Sequence, residues 1–130
     1  MCRQNLLQKS FHLLWNVIIR YLHQKQTAFS MSVKEIENRT DVSLLVRSFY
    51  AKVRKDQVLG PIFNGIITDW ESHLELLTDF WETQLFLKRI YRGNPIEVHN
   101  EVDKKMNYTI SPEHFGFWLN LWFETIDELF

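Results

Sequence analysis

Apolar residues recur at spacings of three and four along most of this chain, which is the period of an α-helix. The first such run predicts a helix over residues 41–56, with Thr40 or Asp41 at its start as an N-cap. One face of that helix carries Val42, Leu45, Val46, Phe49, Tyr50 and Val53. The stretch "LGPIFNG" at 59–65 predicts a turn, because Gly60 and Pro61 are expected to stop a helix.

A second helix is predicted from "TDWE", where Thr68 and Glu71 have the spacing of a capping box, to about Ile90. The apolar stripe of this helix also carries two polar residues, a histidine and a glutamine. The stripe consists of Trp70, His73, Leu74, Leu77, Phe80, Trp81 and Gln84. The stripe therefore predicts a buried face that contains a histidine.

The stretch "YRGNPIEVHNEVDKK" at 91–105 predicts a short third helix with Asn94 as its cap and Pro95 at its first position. It places His99 among Ile96, Val98 and Val102, which are expected to face inward. A last helix is predicted from Ser111 and Pro112 to the final residue, and its apolar positions cover much of its circumference. With no convincing strand, the pattern indicates an all-α fold.

Composition limits the classes of function that are open. A length of 130 residues predicts one main domain, and a net charge of −1 gives no reason to expect nucleic acid as a partner. The single cysteine, Cys2, excludes an internal disulfide and a cluster of thiolate ligands. A reducing, cytoplasmic location fits this cysteine usage.

Residues 1–30 differ in composition from the rest, with four basic residues and no acidic one. The apolar stretch "FHLLWNVIIRYL" at 11–22 is shorter than the roughly 20 residues that cross a bilayer, so no integral membrane span is predicted. Three interpretations are open: a membrane-surface helix, an extra packing helix, or upstream sequence included by a wrong start codon. The change at Met31 favours the third, with residues 1–30 as an extension and 31–130 as the domain.

Three histidines lie on apolar helix faces, namely His73, His99 and His114, together with Tyr50 and Trp118. Each alone is most simply a core residue whose polar end is satisfied by a hydrogen bond. Together they offer an axial nitrogen, an O–H donor and an N–H donor in apolar surroundings, which is what a protoporphyrin iron requires. A site of histidine and glutamate ligands is not supported, since the sequence has no HxxxH or HExxH spacing.

Three stretches carry a family resemblance: "FYAKVRKDQVLGPIFNGIITDWESHLELLTDFW" (49–81), "YRGNPIEVH" (91–99) and "SPEHFGFWLNLWFETIDELF" (111–130). In this order, across about residues 33–130, they closely resemble the truncated haemoglobins of group III. The resemblance implies a globin-like, two-over-two helical sandwich with haem b between its layers. It makes His99 the proximal iron ligand and sets Tyr50, His73 and Trp118 on the distal side. Phe63 falls at the position that packs on the porphyrin, with Leu77, Phe80, Trp81 and Phe115 as further pocket-lining candidates.

The resemblance also implies a function. Such a protein binds O₂ or other small diatomic ligands at a histidine-ligated iron, and two distal donors favour tight retention. Peroxidase-like or nitric-oxide chemistry and an unidentified reductase partner are also open, so the resemblance does not decide whether the protein is an enzyme. Lys88, Arg89 and Arg92 either meet the haem propionates or form a solvated basic cluster.

The chain departs from the family pattern after "DELF", where the family has one more helix. Without that helix, the sequence predicts exposure of Trp122, Ile126 and Leu129, unless the apolar segment 11–22 covers this face. The alternative function is a haem-free helical remnant or interaction module from a truncated gene.

Overall fold

A computed structural model describes residues 2–27 and 34–130, and within the first helix it describes the side chains of residues 9 and 12–24. The described residues form six helices and no strand, which confirms the all-α prediction. The helices are α1 Cys2–Thr27, α2 Arg39–Lys55, α3 Leu59–Ile66, α4 Trp70–Phe86, α5 Pro95–Lys105 and α6 Pro112–Leu129. The predicted boundary between residues 30 and 31 lies outside the described residues.

Helix α2 begins earlier than predicted because Asn38, and not Thr40 or Asp41, caps it. The side chain of Asn38 accepts a hydrogen bond from the backbone N–H of Asp41 at 3.1 Å. The Asp41 carboxylate instead turns back, accepting from the Glu37 N–H at 3.0 Å and pairing with Lys34 at 2.6 Å. It thereby ties the segment that leads into α2 to the first turn of the helix.

The turn predicted at 59–65 is wrong, because this stretch forms helix α3. Asp56 caps its first turn by accepting from the N–H groups of Val58 and Leu59 at 2.9 and 2.8 Å. A side chain at Gly60 would place its Cβ 2.8 Å from the Arg54 carbonyl oxygen. Gly60 therefore allows α3 to start against the end of α2, and its role here is close packing rather than helix termination.

The predicted start and end of the next helix are also corrected. Asp69 caps α4, accepting from the N–H of Ser72 at 3.2 Å, so the Thr68–Glu71 capping box is wrong. The helix ends at Phe86 rather than near Ile90, because Leu87 adopts a left-handed conformation with φ of 55°. The predicted starts of α5 at Asn94–Pro95 and of α6 at Ser111–Pro112 are confirmed.

The core forms where α2 packs against α3, α4 and α6. Arg39 of α2 reaches Asp79 and Glu82 of α4 at 2.7 and 2.8 Å, so ion pairs flank the apolar contact between these helices. The predicted exposure of Trp122 and Ile126 is wrong, since both are fully buried, and Leu129 is half-buried.

Helix α1 packs on α6, α4 and α5. Its inward side chains Ile18 and Leu22 are buried, and Tyr21 lies on the ring of Phe123 with a centroid distance of 4.5 Å. The Tyr21 hydroxyl also donates to the carboxylate of Asp127. Segment 11–22 therefore contacts the face of α6 that the sequence left without a partner. Within residues 2–27 and 34–130, no helix is long and apolar enough to cross a membrane.

Candidate functional site

Tyr50 lies at the centre of a cluster of rings that three helices bring together. Its side chain comes from the inner face of α2 and is buried, with 4% of its surface exposed. The rings of Phe63, Trp70 and His73 each lie 5.9 Å from it between centroids. Phe63, from α3, and His73, from α4, therefore both pack against Tyr50 in the structure.

Tyr50 is held as a neutral hydrogen-bond donor. Burial raises the pKa of Tyr50 above its usual value, and Trp118, which lies within hydrogen-bonding reach of the hydroxyl, opposes that rise. Trp118 comes from α6 and packs edge-on against Phe49, at 4.9 Å. The structure therefore brings together the two residues that carry the predicted O–H and N–H donors, although α2 and α6 are far apart in sequence.

His73 and His99 share one region of the molecule, on α4 and α5. His73 is half-buried and stands perpendicular to both Tyr50 and Trp70. Burial lowers the pKa of His73, and repulsion from a charge on His99 lowers it further. Since this repulsion acts between the two imidazoles, the predicted distal and proximal histidines lie near each other.

The ring of His99 is held in a tautomer suited to metal binding. Its Nδ1 contacts the carbonyl oxygen of Pro95, one turn earlier in α5. Because a carbonyl only accepts, Nδ1 carries the hydrogen and the lone pair lies on Nε2, the arrangement that a second hydrogen bond imposes on metal-binding histidines. Surrounding protein atoms lower the pKa of His99, and the Pro95 carbonyl opposes this, so the neutral form is favoured.

Helix α5 stands apart from the core. Among the described residues it packs closely on α1 and makes only marginal contact with other helices. Val98 is 55% exposed, so the prediction that it faces inward is wrong, while Ile96 and Val102 are half-buried. His99 itself is exposed to solvent, and neighbouring protein atoms nevertheless lower the pKa of its ring.

The residues around His99 are compatible with a flat apolar cofactor. The candidate donor set is the neutral imidazole of His99, the neighbouring imidazole of His73, and the phenol and indole of Tyr50 and Trp118. The apolar residues predicted to line the pocket include Phe63, Leu77 and Phe115, which are each half-buried rather than sealed in the core. A helix that is not packed on α4, a suitable axial nitrogen and incompletely covered apolar side chains together are compatible with an iron porphyrin.

Phe80 and Trp81 are buried against α1, a contact that the sequence analysis did not predict. The indole of Trp15 lies 4.8 Å from Phe80 and 5.1 Å from Trp81. Trp15 also borders a cleft of about 290 Å³ that reaches Tyr91 and Ile96 beside the start of α5. The sequence showed that Trp15 lies among the apolar positions of segment 11–22. A helical period alone, however, does not predict which other helix such a face packs against.

Two other residues singled out in the sequence, His114 and Lys88, make contacts that stabilise the fold. His114 completes the cap of α6, where its Nδ1 accepts from the backbone N–H of Ser111 at 2.9 Å. Lys88 pairs with the buried carboxylate of Glu82 at 3.0 Å, which favours a role in packing over a propionate contact. Across the described part of the chain, no group of three or more His, Cys, Asp or Glu side chains is placed to hold a metal ion.

An all-helical body, two neighbouring imidazoles and a buried phenol beside an indole are compatible with the class of globin-type haem-binding proteins. The chain is 33% identical over 97 residues to "Group 3 truncated hemoglobin ctb" from Campylobacter jejuni, a match that covers 72% of each chain. The chain belongs to the truncated haemoglobin family. No family model matches the chain. No solved structure matches it.

Proposed function

We propose that this protein is a group III truncated haemoglobin that binds haem b beside His99 and holds O₂ or a related diatomic ligand. The observation that supports this most directly is the His99 ring, whose Nδ1 is occupied by the Pro95 carbonyl in a helix that stands apart from the core. Nε2 of His99 would then hold the haem iron. Haem, when bound, supplies the iron at which a small ligand is held.

The distal residues act on that ligand as donors. The Tyr50 O–H and the Trp118 N–H belong to neighbouring side chains and would serve a ligand atom jointly, and the His73 ring packs edge-on against Tyr50. A hydrogen bond to a partly charged acceptor contributes about 1.5 kcal/mol or more in a dry site. Two such bonds slow ligand escape by about one to two orders of magnitude, so we expect retention rather than delivery.

The remaining pocket residues supply walls and exclude water. Phe63 contacts Tyr50 directly and is the first candidate for packing on the porphyrin, with Leu77 and Phe115 as apolar neighbours. Phe80 and Trp81 have a supporting role, since both are buried against Trp15. Peroxidase-like or nitric-oxide chemistry, a reductase partner and a cytoplasmic location are part of this proposal and follow from the family.

A hemin titration followed by absorbance tests the proposal. We expect a stoichiometric Soret band in the wild-type protein and its loss in His99→Ala. His23→Ala is the matched control, because His23 is an exposed histidine on α1 and its removal leaves the band unchanged. If the wild-type protein shows no saturable band, the haem-binding function is overturned and a haem-free helical protein of globin descent remains.

A further inference from the structure

Four of the five tryptophans form one stacked series through the molecule. Trp15 of α1 stacks on Trp81 of α4 at 5.1 Å and 23°, and Trp81 stacks on Trp122 of α6 at 4.6 Å and 26°. Trp122 in turn stacks on Trp118 at 5.5 Å and 11°. We call Trp15, Trp81, Trp122 and Trp118 the indole series. Its rings overlap face to face across three helices, and such contact favours passage of an electron from ring to ring.

The two ends of the indole series meet different surroundings. Trp118 lies near Tyr50, so the inner end reaches the distal side of the proposed haem pocket. Trp15 is half-buried and borders the cleft of about 290 Å³, whose walls are both apolar, as at Phe80 and Ile96, and polar, as at His12 and Gln84. This volume is near the lower end for small-molecule sites and is of a size for a single aromatic ring that carries a polar group.

The buried indole in the middle of the series cannot form a stable neutral radical, so it favours passing an electron on. Trp122 is fully buried, and its Nε1 has no hydrogen-bond partner. An oxidised indole becomes a stable neutral radical only when its N–H proton can leave, and here no acceptor is present. A buried unsatisfied group of this kind calls for an explanation, and relay of an electron is one.

The fifth tryptophan, Trp70, also lies near Tyr50, at 5.9 Å, and is a competing electron donor. The guanidinium of Arg54 covers its ring at 4.5 Å. A cation over an indole face stabilises the neutral ring and opposes its oxidation. Oxidation is therefore directed along the indole series and away from Trp70.

We propose that the indole series carries single electrons from a phenolic reductant bound in the Trp15 cleft to the distal pocket, where hydrogen peroxide is reduced. This rests on the proposed haem function. Reduction of one peroxide to two waters takes two electrons and two protons. Two phenol molecules each lose one electron through Trp15 and one proton to water, and they leave as phenoxyl radicals. Protons taken from water in the pocket complete the balance.

The test uses haem-loaded protein, a stoichiometric amount of hydrogen peroxide and a nitroso spin trap. Trapped radicals are located by peptide mass spectrometry and followed by electron paramagnetic resonance. We expect the wild-type adduct at Trp15, and its loss in Trp122→Phe with the Soret band retained. Trp81→Phe interrupts the same path one ring further out and replaces Trp122→Phe if the buried substitution impairs folding.

Controls separate the path from other causes. Trp70→Phe lies outside the indole series and keeps the adduct at Trp15. Trp15→Phe lowers the rate of phenol oxidation, and Trp15→Tyr, which restores an oxidisable ring, recovers part of it. An undiminished Trp15 adduct in both Trp122→Phe and Trp81→Phe overturns the path alone, whereas absence of a Soret band overturns the haem function and the path with it.

Discussion

The phenol of Tyr50 on α2 and the indole of Trp118 on α6 lie close enough for Trp118 to oppose the rise that burial causes in the pKa of Tyr50. Each side chain has one hydrogen to donate, the O–H of the phenol and the N–H of the indole. In the proposed haem protein the acceptor for both is the bound ligand. The pair therefore presents two donors in one region before any ligand arrives.

Substitution of Tyr50 by Phe removes this donor and preserves the ring that Phe49, Phe63 and His73 contact. We expect the O₂ dissociation rate of the haem-loaded protein to rise at least several-fold, since loss of about 1.5 kcal/mol corresponds to a factor of about ten. Stopped-flow displacement of O₂ by carbon monoxide measures this rate.

Tyr108→Phe serves as the control for removal of a phenol hydroxyl, because Tyr108 is 48% exposed in the loop after α5. Its O₂ dissociation rate should match the wild type. An unchanged rate in Tyr50→Phe would remove Tyr50 from the distal role.

Acid should destabilise the haem-free protein through two neighbouring histidines, His73 and His99. The pKa of His73 and of His99 is lowered in the folded state, chiefly by burial. As the pH falls below about 6.5, the unfolded chain therefore binds protons before the folded chain, and folding stability decreases. Urea unfolding midpoints at about pH 7.5 and about pH 5.5 measure this change, which should be smaller in His73→Gln/His99→Gln.

Carboxylates act in a different window. The pKa of Glu82 is lowered although burial acts to raise it, because Arg39 and Lys88 stabilise its charge. Its contribution is present above the pKa of an unfolded Glu, about 4.3, and is lost only below that value. If the urea unfolding midpoint falls equally between the two pH values in the wild type and in His73→Gln/His99→Gln, the histidines are excluded as the cause of the fall.

Helix α1 should contribute to stability through its buried side chains, and we propose that it covers part of α6 and of the site. Leu22 is fully buried and Leu13 is 68% exposed on the same helix. Leu22→Ala should lower the free energy of unfolding by about 2–5 kcal/mol, whereas Leu13→Ala should change it little. Chemical denaturation measures both.

Removal of residues 1–30 extends the same test. The shortened chain loses the contacts of Trp15 with Phe80 and Trp81 and the Tyr21–Asp127 hydrogen bond. Both its stability and its haem retention should decrease. If both rise or stay constant, α1 has no covering role, and the interpretation of residues 1–30 as upstream sequence is favoured.

Residues 91–105 should be among the least protected in the haem-free protein. Helix α5 packs closely on α1 alone, and most of its side chains are exposed. Hydrogen exchange should be fast in this segment without haem and slower after hemin is added, because an iron–His99 bond would anchor the helix. The N-terminal half of α2 is the internal comparison, and equal protection of α5 in both states would contradict the proposed ligand.

The sequence predicted part of what depends on local chemistry. Asn94 with Pro95 and Ser111 with Pro112 predicted two helix starts correctly, because a cap followed by proline acts within one turn. The turn predicted at 59–65 was wrong because Gly60 is needed for close packing against the Arg54 carbonyl of the preceding helix. Rules that consider only neighbouring residues do not include such a contact. The same distinction holds for the candidate site. The family resemblance identified Tyr50 and His99, whereas the stacking of Trp15 on Trp81 depends on how distant helices pack.

The Tyr21–Asp127 hydrogen bond joins positions 106 residues apart. On the ribosome, α1 is made first and can meet α6 only when nearly all of the described chain has emerged. Until then the part of α1 that packs on α6 lacks its native partner and is open to association with other chains. Such distant pairing also slows folding. A chaperone that holds α1 until α6 emerges would therefore limit such association.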